Sequence, residues 1–352
     1  MLTEIRLKNF RSYTDSSFEF GPGVNIVVGP NASGKTNLLE AILVIARGSS
    51  YRVKDGELIQ FNKPWARIDA RLDTSSQRTV KYTPEESPAK VYELDGKKYR
   101  RMTINHSLPV VLFEPNHLQL IAGRPEQRRI FLDDLLEQTV AGYGKLRRDY
   151  KRTLAQRNAL LKHSGHDSTQ LFPWDVRLSE LAGQIVRARL QLVETIQSKL
   201  PKLYKNLSRS KTKISLSYSG GQTVDNYETQ LLKKLSASIE LDRLRGFTSH
   251  GPHRDDLFIH FNGHPAQDTA SRGETRTLVL GLKIIELQIL ADIREVTPIL
   301  LLDDVFSELD GARRRALTEH LSKYQTFITT TDADIVLHHF TDDCQIIPVG
   351  TN

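Results

Sequence analysis

The sequence predicts an α/β fold in which a sheet domain is split by a helical insertion. Three observations predict it. Gly29-Pro30-Asn31-Ala32-Ser33-Gly34-Lys35-Thr36 follows the apolar run Val24–Val28 and precedes residues 37–47, whose apolar positions recur at helical spacing. Strand, glycine loop and helix in that order make a phosphate-binding loop. Residues 299–302 read as a buried strand and run into Asp303 and Asp304. Between these two stretches the pattern changes after Gly123-Arg124-Pro125, where long amphipathic helices replace short strands.

Taken in order, residues 5–10 alternate and read as a strand, with 18–20 as its partner. Residues 68–72 and 79–83 are further alternating runs, and 91–94 and 97–99 flank Asp95-Gly96, a hairpin signal. They predict antiparallel sheet beside the nucleotide strand. Residues 126–162 predict helix in two pieces around Gly142 and Gly144, and 164–173 a loop. A second long helix is predicted over 174–200, with Leu178, Leu181, Ile185, Leu192 and Ile196 on one face. Gly220-Gly221 marks a turn and 225–235 a further helix. Then come a strand at 257–261, the turn Asn262-Gly263, a helix at 271–293, the 299–302 strand, a helix at 313–321 and a strand at 326–330. The expected division is 1–123 and 247–352 for the two parts of the sheet domain and 124–246 for the helical lobe.

At 352 residues, 39% hydrophobic and 26% charged, the chain is long enough for one or two well-filled cores. A net charge of +7 and a pI near 9.3 favour a polyanionic partner. Residues 126–210 carry 16 Lys and Arg against 9 Asp and Glu, so the excess is concentrated on the helical part. Cys344 is the single cysteine, which excludes an internal disulfide and fits a reducing compartment. No Cys/His cluster has metal-ligand spacing. Met1-Leu2-Thr3-Glu4 lacks a basic, then apolar, leader pattern, and the apolar window 278–293 is interrupted by Lys283 and Glu286. A cytoplasmic protein with no membrane partner is expected.

The chemistry follows from residue types. Gly29 and Gly34 let backbone N–H groups close around phosphate oxygens, Lys35 supplies a charge to the β- and γ-phosphates, and the Thr36 hydroxyl suits a magnesium ion. Asp303 is expected to hold that metal, directly or through water. Asp304 is expected to orient or deprotonate the attacking water. Asp310 fits a helix N-cap, and Ser271 with Glu274 makes a capping box whose helix start is also suited to an anion.

Together these stretches resemble the ABC-type ATPase heads and, within them, the RecF family of recombination mediators. Asn9-Phe10-Arg11-Ser12-Tyr13 is similar to the family's opening, Gly29 to Thr36 to its Walker A and Leu300 to Asp304 to its Walker B. Arg124 to Arg129 with Phe131-Leu132-Asp133 resembles its entry into the helical lobe. Gly251-Pro252-His253-Arg254-Asp255-Asp256 is similar to a family hallmark, Ser271-Arg272-Gly273-Glu274 to the signature and Ser307 to Asp310 to the D-loop. The resemblance implies ATP and Mg²⁺ as cofactors. Its nucleotide contacts would be Gly29, Pro30, Asn31, Ala32, Ser33, Gly34, Lys35, Thr36, Asn9, Arg11, Ser12, Ser271 and Gly273. Thr36 and Asp303 would hold metal, and Lys35 and Asp304 would act in catalysis. Two departures stand out: Asp304 replaces a longer Glu, and Thr331 beside Asp332 stands where a switch histidine is common. Both imply modest turnover. A family Q-loop glutamine is not evident near Glu114-Pro115-Asn116, and His253 and Arg254 are open between a phosphate contact and a structural ion pair.

The resemblance further implies an ATP-dependent homodimer on gapped, single-stranded or junction DNA. It would read phosphates without sequence preference, work with RecO and RecR toward RecA loading and SOS induction, and hydrolyse ATP slowly as a switch. Arg147, Arg148, Lys151 and Arg152 are the expected DNA contacts on the basic lobe. The rivals are an SMC-type chromosome-structuring or break-repair head, for which the insertion is too short to form a long coiled coil, and a transporter motor, against which the basic lobe argues.

Overall fold

Val24–Val28 has no polar alternation because both faces of its strand are covered. In the computed structural model it lies inside a parallel sheet. Described are residues 1–162, 168–208, 210, 212–219, 226–321, 323–332 and 344–350. The chain forms two compact units, Met1–His117 with Lys283–Asn352, and Leu118–Leu282.

The first unit opens with β1 (Leu2–Phe10), β2 (Tyr13–Glu19), β3 (Val24–Val28), α1 (Lys35–Arg47), β4 (Ala66–Leu72), β5 (Gln77–Tyr82), β6 (Lys90–Leu94), β7 (Lys97–Tyr99) and β8 (Val110–Phe113). The second unit holds α2 (Gln119–Ala122), α3 (Pro125–Thr139), α4 (Tyr143–Lys162), α5 (Phe172–Ser208), β9 (Ile214–Tyr218), α6 (Tyr227–Ala237), α7 (Ile239–Arg245), β10 (Leu257–Phe261), β11 (His264–Pro265), α8 (Ala266–Thr269) and the start of α9 (Arg272–Arg294). The rest of α9, β12 (Ile299–Asp303), α10 (Val305–Glu308), α11 (Gly311–Leu321), β13 (Thr326–Thr330) and β14 (Cys344–Pro348) return to the first unit.

Two sheets build the first unit. An antiparallel sheet runs β2-β1-β4-β5-β6-β7, and a parallel one β14-β3-β13-β12-β8. α1 packs against strands of both. Its residues 38–46 are therefore all buried, and the apolar side chains that a single-sided helix would show on one stripe go all round. Leu38, Ile42 and Ile45 join Ile5, Ile68, Val80, Leu301 and Phe327 in one core. The Gln325 side chain stitches the sheets, receiving from Leu2 N at 2.8 Å and donating to Leu2 O and Gly21 O. Asp95-Gly96 makes the expected hairpin between β6 and β7.

The second unit packs α4, α5 and α6 around Tyr150, Leu178, Leu181, Ile185, Leu231 and Leu235. Two of its features differ from the sequence expectation. α5 continues through Pro201 to Ser208, because its last turns bury Tyr204 whatever the local propensity. Ile214–Tyr218 is a strand the pattern reading passed over; its Ile-Ser-Leu-Ser-Tyr alternation pairs with β10 in full register. That pairing joins 257–261 to the helical lobe, so the unit boundaries fall at 118 and 283, outside the expected 124 and 246. Gly220-Gly221 and the start of the helix expected at 225 lie outside the described residues. Among the described residues no helix is long and apolar enough to cross a membrane.

Candidate nucleotide-binding site

Glycine is obligatory at two points of the loop. A Cβ on Gly29 would lie 2.2 Å from the Val349 carbonyl oxygen and 2.7 Å from Ser33 Oγ. Gly34 has φ +105°, and a Cβ there would meet Ser12 Oγ and Tyr13 Oη. Ala32 also takes a left-handed φ of 64°, so the loop alternates handedness and turns its N–H groups inward, the geometry of an anion nest. α1 begins at Lys35, directly behind this nest. Lys35 Nζ folds back to donate to Gly29 O at 2.7 Å and Pro30 O at 2.8 Å. Burial lowers its pKa below the ordinary lysine value, and the charges of Asp304 and Asp303 act the other way. Ser33 Oγ is buried without a hydrogen-bond partner among the described residues. A cradle too tight for side chains, with an unsatisfied hydroxyl, fits a phosphate chain.

The carboxylates arrive from the parallel sheet. β12 is fully buried and ends at Asp303, whose Oδ1 accepts from Thr36 Oγ1 at 2.9 Å and Thr329 Oγ1 at 2.8 Å. Thr36 and Asp303 are thus hard oxygen donors that could hold a magnesium ion. No group of three acidic, His or Cys side chains converges on a metal position among the described residues, so phosphate and water oxygens would complete the shell. Asp304 is exposed and left-handed at φ 53°, and its N–H donates to Thr329 Oγ1 at 2.9 Å. Thr329 therefore supports both acids. Thr331 and Asp332 are exposed beyond the end of β13.

The Asn9–Tyr13 turn lies beside α1. Tyr13 Oη donates to Gly34 O at 2.9 Å, and burial raises its pKa well above the usual phenol value. Asn37 donates to Ser12 Oγ. The Arg11 guanidinium forks onto Glu40, a fully buried carboxylate of α1, and also donates to Glu57 O. Asn9 O accepts from Gln60 N. Arg11 and Asn9 thereby hold the 57–60 segment, and Arg11 with Ser12, Asn37, Phe61 and Asn62 borders an open cleft of about 660 Å³. That is ample for the nucleoside end of a ligand.

A family model described as the RecF/RecN/SMC N terminal domain matches residues 1–345. The chain is 35% identical to the DNA replication and repair protein RecF of Heliobacterium modesticaldum, covering 96% of this chain and 93% of that protein. The chain belongs to the RecF family. Its fold agrees: a solved structure of the recombination mediator protein RecF-ATPrS in the RecFOR pathway superposes with a TM-score of 0.90 at 31% identity, covering 99% of this chain and 97% of that one. A second, of RecF-ATP in that pathway, superposes with a TM-score of 0.85 at 31% identity over 94% and 92% of the two chains. The expected ABC-type head with an inserted helical lobe is the observed one, except that in place of one mixed sheet the head carries an antiparallel and a parallel sheet side by side on α1.

Other residues that the sequence singled out, by resemblance or by charge, lie in the second unit. Ser271 and Glu274 form the capping box, with Ser271 N donating to Glu274 Oε2 at 2.9 Å and Glu274 N to Ser271 Oγ at 3.3 Å. Ser271 and Arg272 are exposed, and Gly273 and Glu274 are half-buried in the first turn of α9. On α4, Arg148, Lys151 and Arg152 share one face at i, i+3 and i+4, and all three are exposed. Arg147 points elsewhere: it is bound to Asp133 and Glu137. His253 is half-buried and held within the lobe. Its Nδ1 lies 2.6 Å from Tyr150 Oη, and burial lowers its pKa to about 4. Arg254 stacks over Phe247 at 4.6 Å, and Asp256 takes the fork of Arg128.

Sequence reasoning gave Tyr13 no role beyond its place in the family-like opening, and passed over Glu40, Thr329 and Val349. Only Glu40 carried a signal, a carboxylate inside the otherwise apolar run of α1.

Proposed function

We propose that this chain is an ATP-binding, DNA-binding recombination mediator of replication and repair, whose nucleotide state controls self-association. The observation that carries the reading is the hydrogen bond between Thr36 and Asp303, 267 residues apart, in a RecF-family chain. It unites the phosphate loop with a buried carboxylate at the C-terminal edge of a parallel sheet, where open α/β sheets bind ligands.

In this reading Gly29 to Thr36 wrap the triphosphate and Lys35 neutralises its β- and γ-charges. Thr36 and Asp303 hold Mg²⁺, which screens the phosphates. Asp304 orients the attacking water from its exposed, left-handed position. The protein is a homodimer when ATP is bound, with Ser271 and Gly273 of each chain meeting the nucleotide of the other. Arg148, Lys151 and Arg152 contact DNA phosphates, at gaps or junctions and without base readout. Hydrolysis is slow and resets the clamp. RecO, RecR and the RecA pathway are the partners, a reading supported by the likeness to a recombination mediator of the RecFOR pathway.

The test is retention of gapped DNA on a filter, with and without ATP, for the wild type and Lys35→Ala, alongside equilibrium ATP binding. Lys35→Ala should lose about tenfold or more in ATP affinity, because the ammonium is the point charge on the β/γ-phosphates, and should lose ATP-dependent retention. Equal ATP affinity in the two proteins would remove the phosphate-loop assignment.

A further inference from the structure

The nucleotide site uses neither Arg124 to Asp133 nor Gly251 to Asp256, two stretches in which the chain resembles its family. They fold together in the second unit. Arg128 forks onto Asp256, 128 residues on, and Arg129 donates to Asp255 O at 2.7 Å. Arg129 also borders a cavity of about 240 Å³ whose lining lies entirely within that unit. α3 and α4 each line it with one face, at i, i+3, i+4 and i+7 counted from Glu126 and from Arg147.

The cavity is part apolar and part cationic. Ile130, Leu154, Ile185 and Pro252 give it apolar walls. Arg129, Arg147, Lys151 and Arg189 outnumber Glu126 and Asp133 among the charged groups that line it. Asp133 is committed to Arg189 and Arg147. Lys151 is exposed and Arg129 half-buried, and neither makes an ion pair among the described residues. A polar edge comes from His253 and Tyr150. Burial keeps the imidazole neutral at ordinary pH, its pKa lowered to about 4. Nε2 faces Thr248 O at 3.1 Å and carries the proton, because a carbonyl only accepts. Nδ1 therefore accepts from Tyr150 Oη at 2.6 Å, and the phenol oxygen keeps a lone pair for a further donor.

The volume falls below the roughly 300–1,000 Å³ of pockets that take a whole small molecule, so it suits one flat group of a longer ligand. Lys151 decides which ligand, for it belongs both to the cavity and to the outward face of α4. A strand held by its phosphates along that face has its bases a few bonds away. A base offers apolar planes to the walls and edge donors to the Tyr150 oxygen. We propose that this cavity receives one unpaired nucleobase of DNA bound along α4, with Lys151 and Arg129 on the flanking phosphates. The inference rests on the DNA reading above and gives it a source of preference for single-stranded character. A base inside a duplex must first be unpaired and unstacked, whereas one in a gap is already available.

The test titrates the protein, with a slowly hydrolysed ATP analogue present, against three labelled duplexes that differ at one central position. One is fully paired, one carries an extra unpaired nucleotide, and one carries that nucleotide without its base. The wild type should bind the unpaired base about tenfold more tightly than the other two. The abasic duplex has the same loose backbone, so equal affinity for it and for the unpaired base overturns the proposal. Salt-dependent binding common to all three would then leave the DNA reading standing. Ile130→Trp, at an exposed position of the lining, fills the cavity with bulk. It should lower affinity for the unpaired base to that of the paired duplex and leave the latter unchanged. Tyr150→Phe keeps the ring, removes the phenol oxygen and should lower the preference by less. A preference unchanged in Ile130→Trp would place the base elsewhere and overturn the proposal. So would three duplexes that bind alike while an acidic, phenylalanine-containing peptide binds the wild type and not Ile130→Trp, which would assign the cavity to a protein partner. If the wild type binds no DNA at all, both readings fall.

Discussion

Asp303 and Asp304 are neighbours in the chain and differ in burial, backbone and partners. Asp303 closes a buried strand and is held by two threonine hydroxyls. Asp304 is exposed, with a backbone φ of 53° that costs a non-glycine residue about 1 kcal/mol or more. Asparagine tolerates the left-handed region, so Asp→Asn at either position removes charge with little backbone penalty. Asp303→Asn should weaken Mg²⁺-dependent ATP binding. Asp304→Asn should leave binding near wild type and reduce turnover about a hundredfold or more, within the range a positioned base contributes. Single-turnover hydrolysis alongside equilibrium binding separates the two. Wild-type turnover in Asp304→Asn would take the catalytic role from this residue.

At the scale of the element, α4 shows how a charge count misleads. The helical lobe commits Arg128, Arg147, Arg157 and Arg189 to internal ion pairs with Asp256, Asp133, Glu137, Asp175 and Asp242. Arg157 is fully buried between Asp175 and Asp242 and also donates to Thr248. These arginines lock helices together, and removing Arg128 or Arg157 would strand a buried acid at a cost of about 3–5 kcal/mol. The outward cations of α4 are the ones that would meet DNA in the proposed reading. Arg148, Lys151 and Arg152 changed together to Ala should reduce DNA affinity equally across sequences. The slope of log affinity against log salt should flatten by about 0.9 for each phosphate that these side chains neutralise in the wild type. Arg147→Ala should instead lower thermal stability with the salt slope unchanged. Binding isotherms at several salt concentrations read both, and an unchanged slope in the triple variant would make that face a solvated one.

For the whole molecule, the phosphate loop and Walker B strand belong to one compact unit, whereas Ser271 and Gly273 belong to the other. A symmetric dimer offers each nucleotide a second set of contacts and makes ATP binding and association reciprocal. Ser271 is exposed, and its hydroxyl accepts from the capping box at a long 3.3 Å. Ser271→Arg should therefore keep ATP affinity in the monomer and abolish ATP-induced dimerisation, because the bulk would stand where the opposing phosphate lies. Sedimentation with a slowly hydrolysed ATP analogue measures it. Dimerisation equal to wild type in a folded Ser271→Arg protein would reduce Ser271 to a helix cap.

What the sequence determined by itself was whatever contiguous residues enforce. The glycine loop between Val24–Val28 and α1, the strand that ends in Asp303 and Asp304, the Asp95-Gly96 hairpin, the Ser271–Glu274 capping box and the Asp310 cap, whose Oδ1 receives Arg313 N at 2.9 Å, were all legible. Each depends on local φ, hydrogen bonds within a turn, or the period of one element. The tertiary structure decided the rest, because sequence spacing does not record which distant residues meet. Val349 forbids a side chain at Gly29, Thr329 supports both carboxylates, and Tyr13 seats Gly34. Arg147 turns inward while Arg148 faces away from it, since the helical period sets them about 100° apart and only packing says which side is core. The parallel register of β8 and β12, which brings Phe113 opposite Leu302 from almost two hundred residues away, has no counterpart in sequence spacing either.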